Sequence, residues 1–303
     1  MLKLKTLVMA VLFAAALTTT SDLMAQDADS TKEEESVGSA FSVSLGVDYT
    51  THYFFRGILQ EDQDSIIQPY AELGVELYSG DGALTSLGAF LGVWNSFHGG
   101  PTGDDGPTVD PESWYETDIY AGLTATFWDV LSISLTHTWY VSPNDSFPTV
   151  EEFAFSVGYD DSGHWDDISW FNGFAPSVTM AFEHENQADG GMNLGTYLEL
   201  GIEPSFVLSD SEDYPITLGV PMTLGLSADD YYEGGASGSN DETFGFLDVG
   251  LTLGMPLAFV PKKFGEWEVS AGVHFLFLGE TTEAINIGED FEVYAGVGLG
   301  ISF

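Results

Sequence analysis

From Phe41 the odd positions read Phe41, Val43, Leu45, Val47, Tyr49, Thr51, Tyr53 and Phe55, and the even ones Ser42, Ser44, Gly46, Asp48, Thr50, His52, Phe54 and Arg56. Alternation held from 41 to 56 predicts a β-strand with one apolar and one largely polar face. Strands in soluble proteins run to about 5–6 residues, so one this long points to a large barrel. Segment 66–78 repeats the pattern, sending Ile67, Ala71, Leu73, Val75 and Leu77 one way and Gln68, Tyr70, Glu72, Glu76 and Tyr78 the other. Further strands are predicted over 84–95, 112–127, 130–141, 150–160, 174–185, 193–203, 214–227, 243–259, 266–278 and 290–303, giving twelve. Pro176 inside 174–185, and apolar residues on both faces of 84–95, make these two the least regular.

The connections alternate as well. The odd-numbered ones include the acidic, Gly/Pro-rich stretches SFHGGPTGDDGPTVDPE and ADDYYEGGASGSNDE. The second, fourth and tenth are short: SGDGA, Trp128-Asp129 and the run holding Lys262 and Lys263. Long loops on one side and short turns on the other match bacterial outer-membrane barrels. The sixth connection, DDSGHWDDISWFNG, is too long for an ordinary periplasmic turn. In the last strand Phe291, Val293, Ala295, Val297, Leu299, Ile301 and Phe303 keep one phase. That strand resembles the C-terminal signature of outer-membrane barrels that the barrel-assembly machinery reads. The expected fold is therefore all-β, an antiparallel up-and-down transmembrane β-barrel of about twelve strands.

Composition changes this picture in three ways. With 48 Asp and Glu against 6 Lys and Arg, the 303-residue chain carries a formal charge of −42. Such a charge repels phosphate backbones, so no nucleic-acid partner is expected. A hydrophobic fraction of 44% with 14% aromatics is too apolar for a disordered acidic chain. The lack of cysteine excludes disulfides, thiolate metal sites and a cysteine nucleophile. Lys3 and Lys5 precede an apolar run from Leu7 to Leu17 and a cleavage-like segment ending at Ala25. Residues 1–25 read as a signal peptide, 26–38 as a disordered acidic lead-in, and 39–303 as an outer-membrane barrel. In such a barrel apolar side chains face lipid while charges occupy lumen and loops. Tyr53, Phe55, Trp114, Tyr115, Trp139, Trp267 and Phe303, near strand ends, are expected in interfacial girdles.

Tyr53-Phe54-Phe55-Arg56-Gly57-Ile58-Leu59-Gln60 resembles the aromatic–x–aromatic–Arg–Gly–Ile–x–Gln run of the TorF-type porin family, and the similarity continues through Gln68 and the next strand, with overall size and the terminal strand also in agreement. Pro69-Tyr70 and the acidity depart from that family's pattern. The resemblance implies a small-solute porin of the bacterial outer membrane, with no named substrate.

Arg56 is the sole arginine. By parity it faces the lumen with Asp48 and His52, and it should pair with Glu72 or an acid on a neighbouring strand or loop. Such a pair is either a structural pin on the first loop or a charged element of a constriction. The expected lumen lining adds Glu72, Glu76, Glu116, Asp118, Glu199, Asp248, Glu268 and Glu292, which would attract cations. Tyr70, Tyr78, Tyr120, Tyr140, Tyr197 and Tyr294 also point inward beside glycines, predicting a narrow, partly filled interior. No hydrolase, metalloprotease or phosphate-loop motif occurs, and neither acidic loop, with Asp104, Asp105, Asp110 and Glu112 or with Asp229, Asp230 and Glu233, has EF-hand spacing. No catalytic residue, cofactor or metal site is assigned. The expected function is passive diffusion of small neutral or cationic solutes, in contact with outer-membrane lipid and lipopolysaccharide. The alternative is a non-conducting structural or surface-binding barrel.

Overall fold

The computed structural model describes residues 40–100, 113–234 and 240–303. The expected signal peptide, the acidic lead-in and the loop acids Asp104, Asp105, Asp110 and Glu112 lie outside the described residues. Strand β1 (Phe41–Thr50) leads into a small ribbon of β2 (Tyr53–Phe55) and β3 (Ile58–Glu61). An antiparallel meander follows through β4 (Ile66–Ser79), β5 (Leu84–His98), β6 (Trp114–Phe127), β7 (Leu131–Val141) and β8 (Val150–Tyr159). Next come β9 (Phe171–Gly173), β10 (Ser177–Glu185), β11 (Thr196–Ile202), β12 (Ser205–Asp210), β13 (Pro215–Gly219) and β14 (Met222–Asp229). The minor pair β15 (Glu233–Gly234) and β16 (Asn240–Asp241) precedes β17 (Phe244–Pro256), β18 (Glu266–Leu278), the short helix α1 (Glu280–Ile285) and β19 (Phe291–Ser302).

Several of these pieces are parts of single strands. Gly201 opposite Ser177 and Ser205 opposite Gly173 continue one register across β9–β10. The same holds where Met222 faces Ile202 and Gly219 faces Ser205, and where Val249 faces Met222 and Thr252 faces Gly219. Pro176, Pro204 and Pro221 sit at the breaks, because proline has no amide hydrogen to give the ladder. Their carbonyls still accept, Pro204 from Val220 at 2.8 Å and Pro221 from Gly250 at 2.8 Å. Joined in this way, the pieces make twelve strands, and the β1–β19 and β14–β17 pairings close them into a barrel. Phe303 completes the seam by exchanging backbone hydrogen bonds with Val43, at 2.9 and 3.3 Å.

The alternation sets the two faces. Leu45, Leu73, Leu91, Leu123, Leu135, Phe155, Val178, Leu200, Leu251 and Val297 lie exposed around the outside. Polar groups and tyrosines fill the inside. Three expectations change. The first strand ends at Thr50, not at Arg56, and the chain from Tyr53 to Glu61 turns into the lumen as the β2–β3 ribbon. This takes Tyr53 and Phe55 from the expected girdle to the interior, and Tyr115 is buried there too, whereas Trp114, Trp139 and Phe303 stay exposed. A bulge between Glu76 and Tyr78 turns Tyr78 outward, opposite Leu87 and 45% exposed, since one extra residue exchanges the faces.

The long sixth connection is organised by one carboxylate. Asp161 accepts the Trp165 indole N–H at 2.8 Å and the Phe174 and Ala175 amides at 2.8 and 2.9 Å, beside a 3-10 turn at Ser162–His164. Burial pushes this carboxyl up, but the Trp165, Ala175 and Phe174 donors outweigh burial and hold it below the ordinary range. Asp161→Ala should cost about 1 kcal/mol in urea unfolding, the net worth of hydrogen bonds to partly buried donors. For a depressed carboxyl the stabilisation is complete above the unfolded value, about 3.9, and is lost as pH falls through the folded one. The stability difference between the native chain and Asp161→Asn should therefore hold steady from pH 7 to about 4 and shrink below it. A gap independent of pH down to 2 would sink this assignment.

Candidate functional site

The loop-end half of the lumen is built around Arg56. Phe55 and Ile58 pair across the ribbon, so Arg56 and Gly57 form its two-residue turn, with φ of 47° and 83°. Positive φ at both central residues is what a tight two-residue hairpin demands. Gly57 meets that requirement freely, and a Cβ there would also press on the Phe246 ring at 3.0 Å. Arginine in this region is strained by about 1–2 kcal/mol, so its surroundings must hold it. The Tyr232 hydroxyl donates to the Arg56 carbonyl at 3.0 Å. Asn286, just after α1, clasps the ribbon by donating to the Gly57 carbonyl at 2.7 Å and accepting the Leu59 amide at 2.8 Å.

The Arg56 side chain crosses to β8. Nη1 and Nη2 donate to the two carboxylate oxygens of Glu152 at 2.6 and 2.8 Å, and Nη1 donates also to the Tyr231 hydroxyl at 2.7 Å. Its guanidinium lies over the Tyr197 ring at 4.1 Å. Burial by itself would ease the proton off, but Glu152 and the neighbouring tyrosines hold the guanidinium pKa well above its usual value. Arg56 is thus a charged, buried clamp. The expected partner Glu72 is replaced by Glu152, which sequence reasoning had not singled out. Its signal was present: Glu152, Ala154 and Ser156 alternate with the exposed Phe153 and Phe155.

Other predicted residues divide between the clamp's surroundings and the rest of the lumen. Glu116 accepts the Tyr53 hydroxyl at 2.9 Å, tying the ribbon to β6 beside buried Asp118. Glu199 accepts from Tyr197 at 2.7 Å, under the guanidinium. Asp248 accepts from Tyr294 and lies 2.9 Å from His274 Nδ1. Glu72 and Glu268 are buried on the inward face, Asp48 and Glu292 are partly exposed, and Glu76 is exposed at the turn end. His52 leaves the wall with the ribbon, its Nδ1 3.0 Å from Thr51 Oγ1. Inward tyrosines pack over small residues: a Cβ at Gly46 or Gly92 would collide with the rings of Tyr70 and Tyr120.

The loop acids act as anchors. Glu233 accepts the Asn193 and Met192 amides at 2.8 and 2.7 Å and the Asn193 side chain at 2.7 Å, which together hold it below the usual carboxylate range. Asp189 accepts the Glu233 amide at 2.8 Å, and Glu183 the Ala188 and Gly195 amides, both at 2.7 Å. These bonds hold Tyr231 and Tyr232 in the lumen, where both are almost fully buried.

Breaking a buried ion pair by removing one partner costs about 3–5 kcal/mol. Glu152→Gln and Arg56→Ala should each show a loss of that order in urea unfolding. The double variant Arg56→Ala/Glu152→Gln should lose much less than the two single losses combined. Additive losses would rule out the pair as a unit.

No family model matches the chain, and no curated protein matches it. Among solved structures, an outer membrane channel from Pseudomonas putida F1 is similar over 91% of this chain and 100% of its own, at 9% identity and a TM-score of 0.49. LpxR from Salmonella typhimurium covers 86% of this chain and 99% of its own, at 9% identity and a TM-score of 0.44. The transport unit of the autotransporter AIDA-I from Escherichia coli covers 90% and 93%, at 10% identity and a TM-score of 0.43. The resemblance to TorF-type porins rests on the run from Tyr53 through Gln68 and the strand that holds it, with the size of the chain and its terminal strand.

Proposed function

We propose that the chain is a bacterial outer-membrane channel for passive movement of small neutral or cationic solutes, narrowed at its loop end by the Arg56 ribbon. The observation that carries this reading is the acidic lining of the inward face. Glu72, Glu116, Asp118, Glu199, Asp248 and Glu268 sit inside the wall, and the only arginine of the chain is already engaged by Glu152. A passage lined this way favours cations and repels anions. The turn-end half supports a wet interior. Buried hydroxyls of Thr124, Ser134, Thr217 and Thr252 meet no protein hydrogen-bond partner, and such groups are satisfied by water or cost about 1–3 kcal/mol each.

The membrane setting rests on the outer face. A continuous belt of exposed Leu, Val and Phe is far more apolar than water-facing sheets tolerate, and lipid is the solvent that suits it. The signal-like residues 1–25 and the Ala295, Val297, Leu299, Ile301 and Phe303 phase support export and delivery to the barrel-assembly machinery. On this reading the loop end faces outward and its acids meet lipopolysaccharide.

A second reading, a non-conducting structural or surface-binding barrel, is favoured by the filled loop end, where Tyr197, Tyr231 and Tyr232 are at most 1% exposed. Planar-bilayer recording of the refolded chain separates the two. The channel reading expects small, cation-selective conductance, with larger or longer openings in Arg56→Ala as the ribbon loses its clamp. Absence of conductance in both proteins would favour the second reading, and anion preference would defeat the acidic-lumen argument.

A further inference from the structure

On the outside of the barrel, near the loop end, three side chains from adjacent strands converge. His137 on β7 shares the outward face with Leu135 and Trp139, and Glu151 on β8 shares it with Phe153. His184 reaches them from β10, where it follows inward Glu183 and shares the outward face with Phe182, and the β8–β10 register shifts between Glu183 and Glu185.

The three nearest ligand atoms are His137 Nε2, His184 Nε2 and one Glu151 carboxylate oxygen, separated by 2.8, 3.5 and 3.7 Å. A triangle with those edges has a circumscribed radius of about 2.0 Å, the length of zinc–imidazole and zinc–carboxylate bonds, about 2.0–2.2 Å. An ion slightly above the plane would keep three protein bonds and leave a fourth tetrahedral position open. The rings are also held in place before any ion arrives. His137 sits 4.1 Å from the Trp139 ring and 4.4 Å from Phe153, and His184 sits 5.1 Å from Phe153.

We propose that His137, Glu151 and His184 bind a divalent transition-metal ion of the zinc class on the outer face of the barrel. Two imidazoles and one carboxylate select against calcium and magnesium, which take oxygen donors, and suit zinc, nickel or copper. The ion would bridge three consecutive strands, and its open position would face outward for water or an anionic ligand. The proposal rests on the barrel fold and is independent of whether the lumen conducts.

The test uses the full chain, free of any affinity tag, refolded in detergent and stripped with chelator. Zinc is titrated calorimetrically with magnesium in large excess to occupy the oxygen-rich loops. One zinc per chain is expected, together with a rise in the unfolding midpoint. His184→Gln, at an exposed bulge, and His137→Ala should each weaken zinc binding by at least about tenfold, the low end of what losing even an outer partner of a metal ligand costs. Gel mobility with and without heating checks that each variant is folded. Cobalt provides an independent readout: its visible absorption bands should appear in the native chain and vanish in His184→Gln. No saturable zinc binding by the folded native chain, or undiminished binding by a folded His137→Ala/His184→Gln variant, would overturn the proposal.

Discussion

Closing a sheet on itself leaves every side chain only two destinations. Once β14 pairs with β17 and β1 with β19, no edge remains, and each residue of a strand points either into the lumen or away from the barrel. Interruptions have to respect this ring. The three prolines at the strand breaks withhold a donor, yet the register passes through each, so the ladder bends without opening. The same constraint explains how a chain of charge −42 can be nearly half apolar. The acids and the hydrophobic residues alternate along the same strands and part to opposite faces.

Packing carboxylates into a narrow ring creates the next problem, because like charges repel and buried charges lose their water. One arginine cannot balance them. Tyrosine does much of what basic residues do in less acidic proteins: Tyr53 donates to Glu116, Tyr197 to Glu199, Tyr294 to Asp248, and Tyr140 to Glu152 at 3.4 Å. A phenol supplies a hydrogen bond and an apolar ring together, so it fills space and satisfies an oxygen at once. At the loop end backbone amides take over, with Glu183, Asp189 and Glu233 accepting from the loops they fasten. Arg56 is placed where these systems meet, and the strain at its φ of 47° is tolerated because five neighbours hold the turn: Glu152, Tyr197, Tyr231, Tyr232 and Asn286.

The barrel was legible because its signal is strictly local. Period-two alternation places each of the twelve strands, but the strand predicted over 174–185 begins earlier, with β9 inside the sixth connection, and the one predicted over 193–203 runs on through β12 to Asp210. The site was legible only in composition. Parity sends Glu116, Asp118 and Glu199 inward, but it contains nothing about which residues face one another across the lumen. Arg56 meets Glu152, which is 96 residues away along the chain and several strands distant. Nor does alternation announce its own end: Tyr53 and Phe55 continue the phase of β1 while belonging to a ribbon that has left the wall. What marked the departure was the Arg-Gly pair, a turn with a non-glycine residue at its first position.

The chemistry concentrates where the period fails. Regular stretches of this barrel present apolar residues to one side and small or acidic residues to the other, and they can do little beyond that. At the end of β1 the broken phase delivers a cation into an acidic interior. At the Glu76–Tyr78 bulge it moves a tyrosine from lumen to outer face. Beside the Glu183–Glu185 bulge the alternation of β10 still holds, with Glu183 inward as an anchor for the 186–195 loop and His184 outward beside His137 and Glu151. The irregularities are thus the positions at which a uniform ring acquires distinct sites, and they are also the positions that a purely periodic reading passes over.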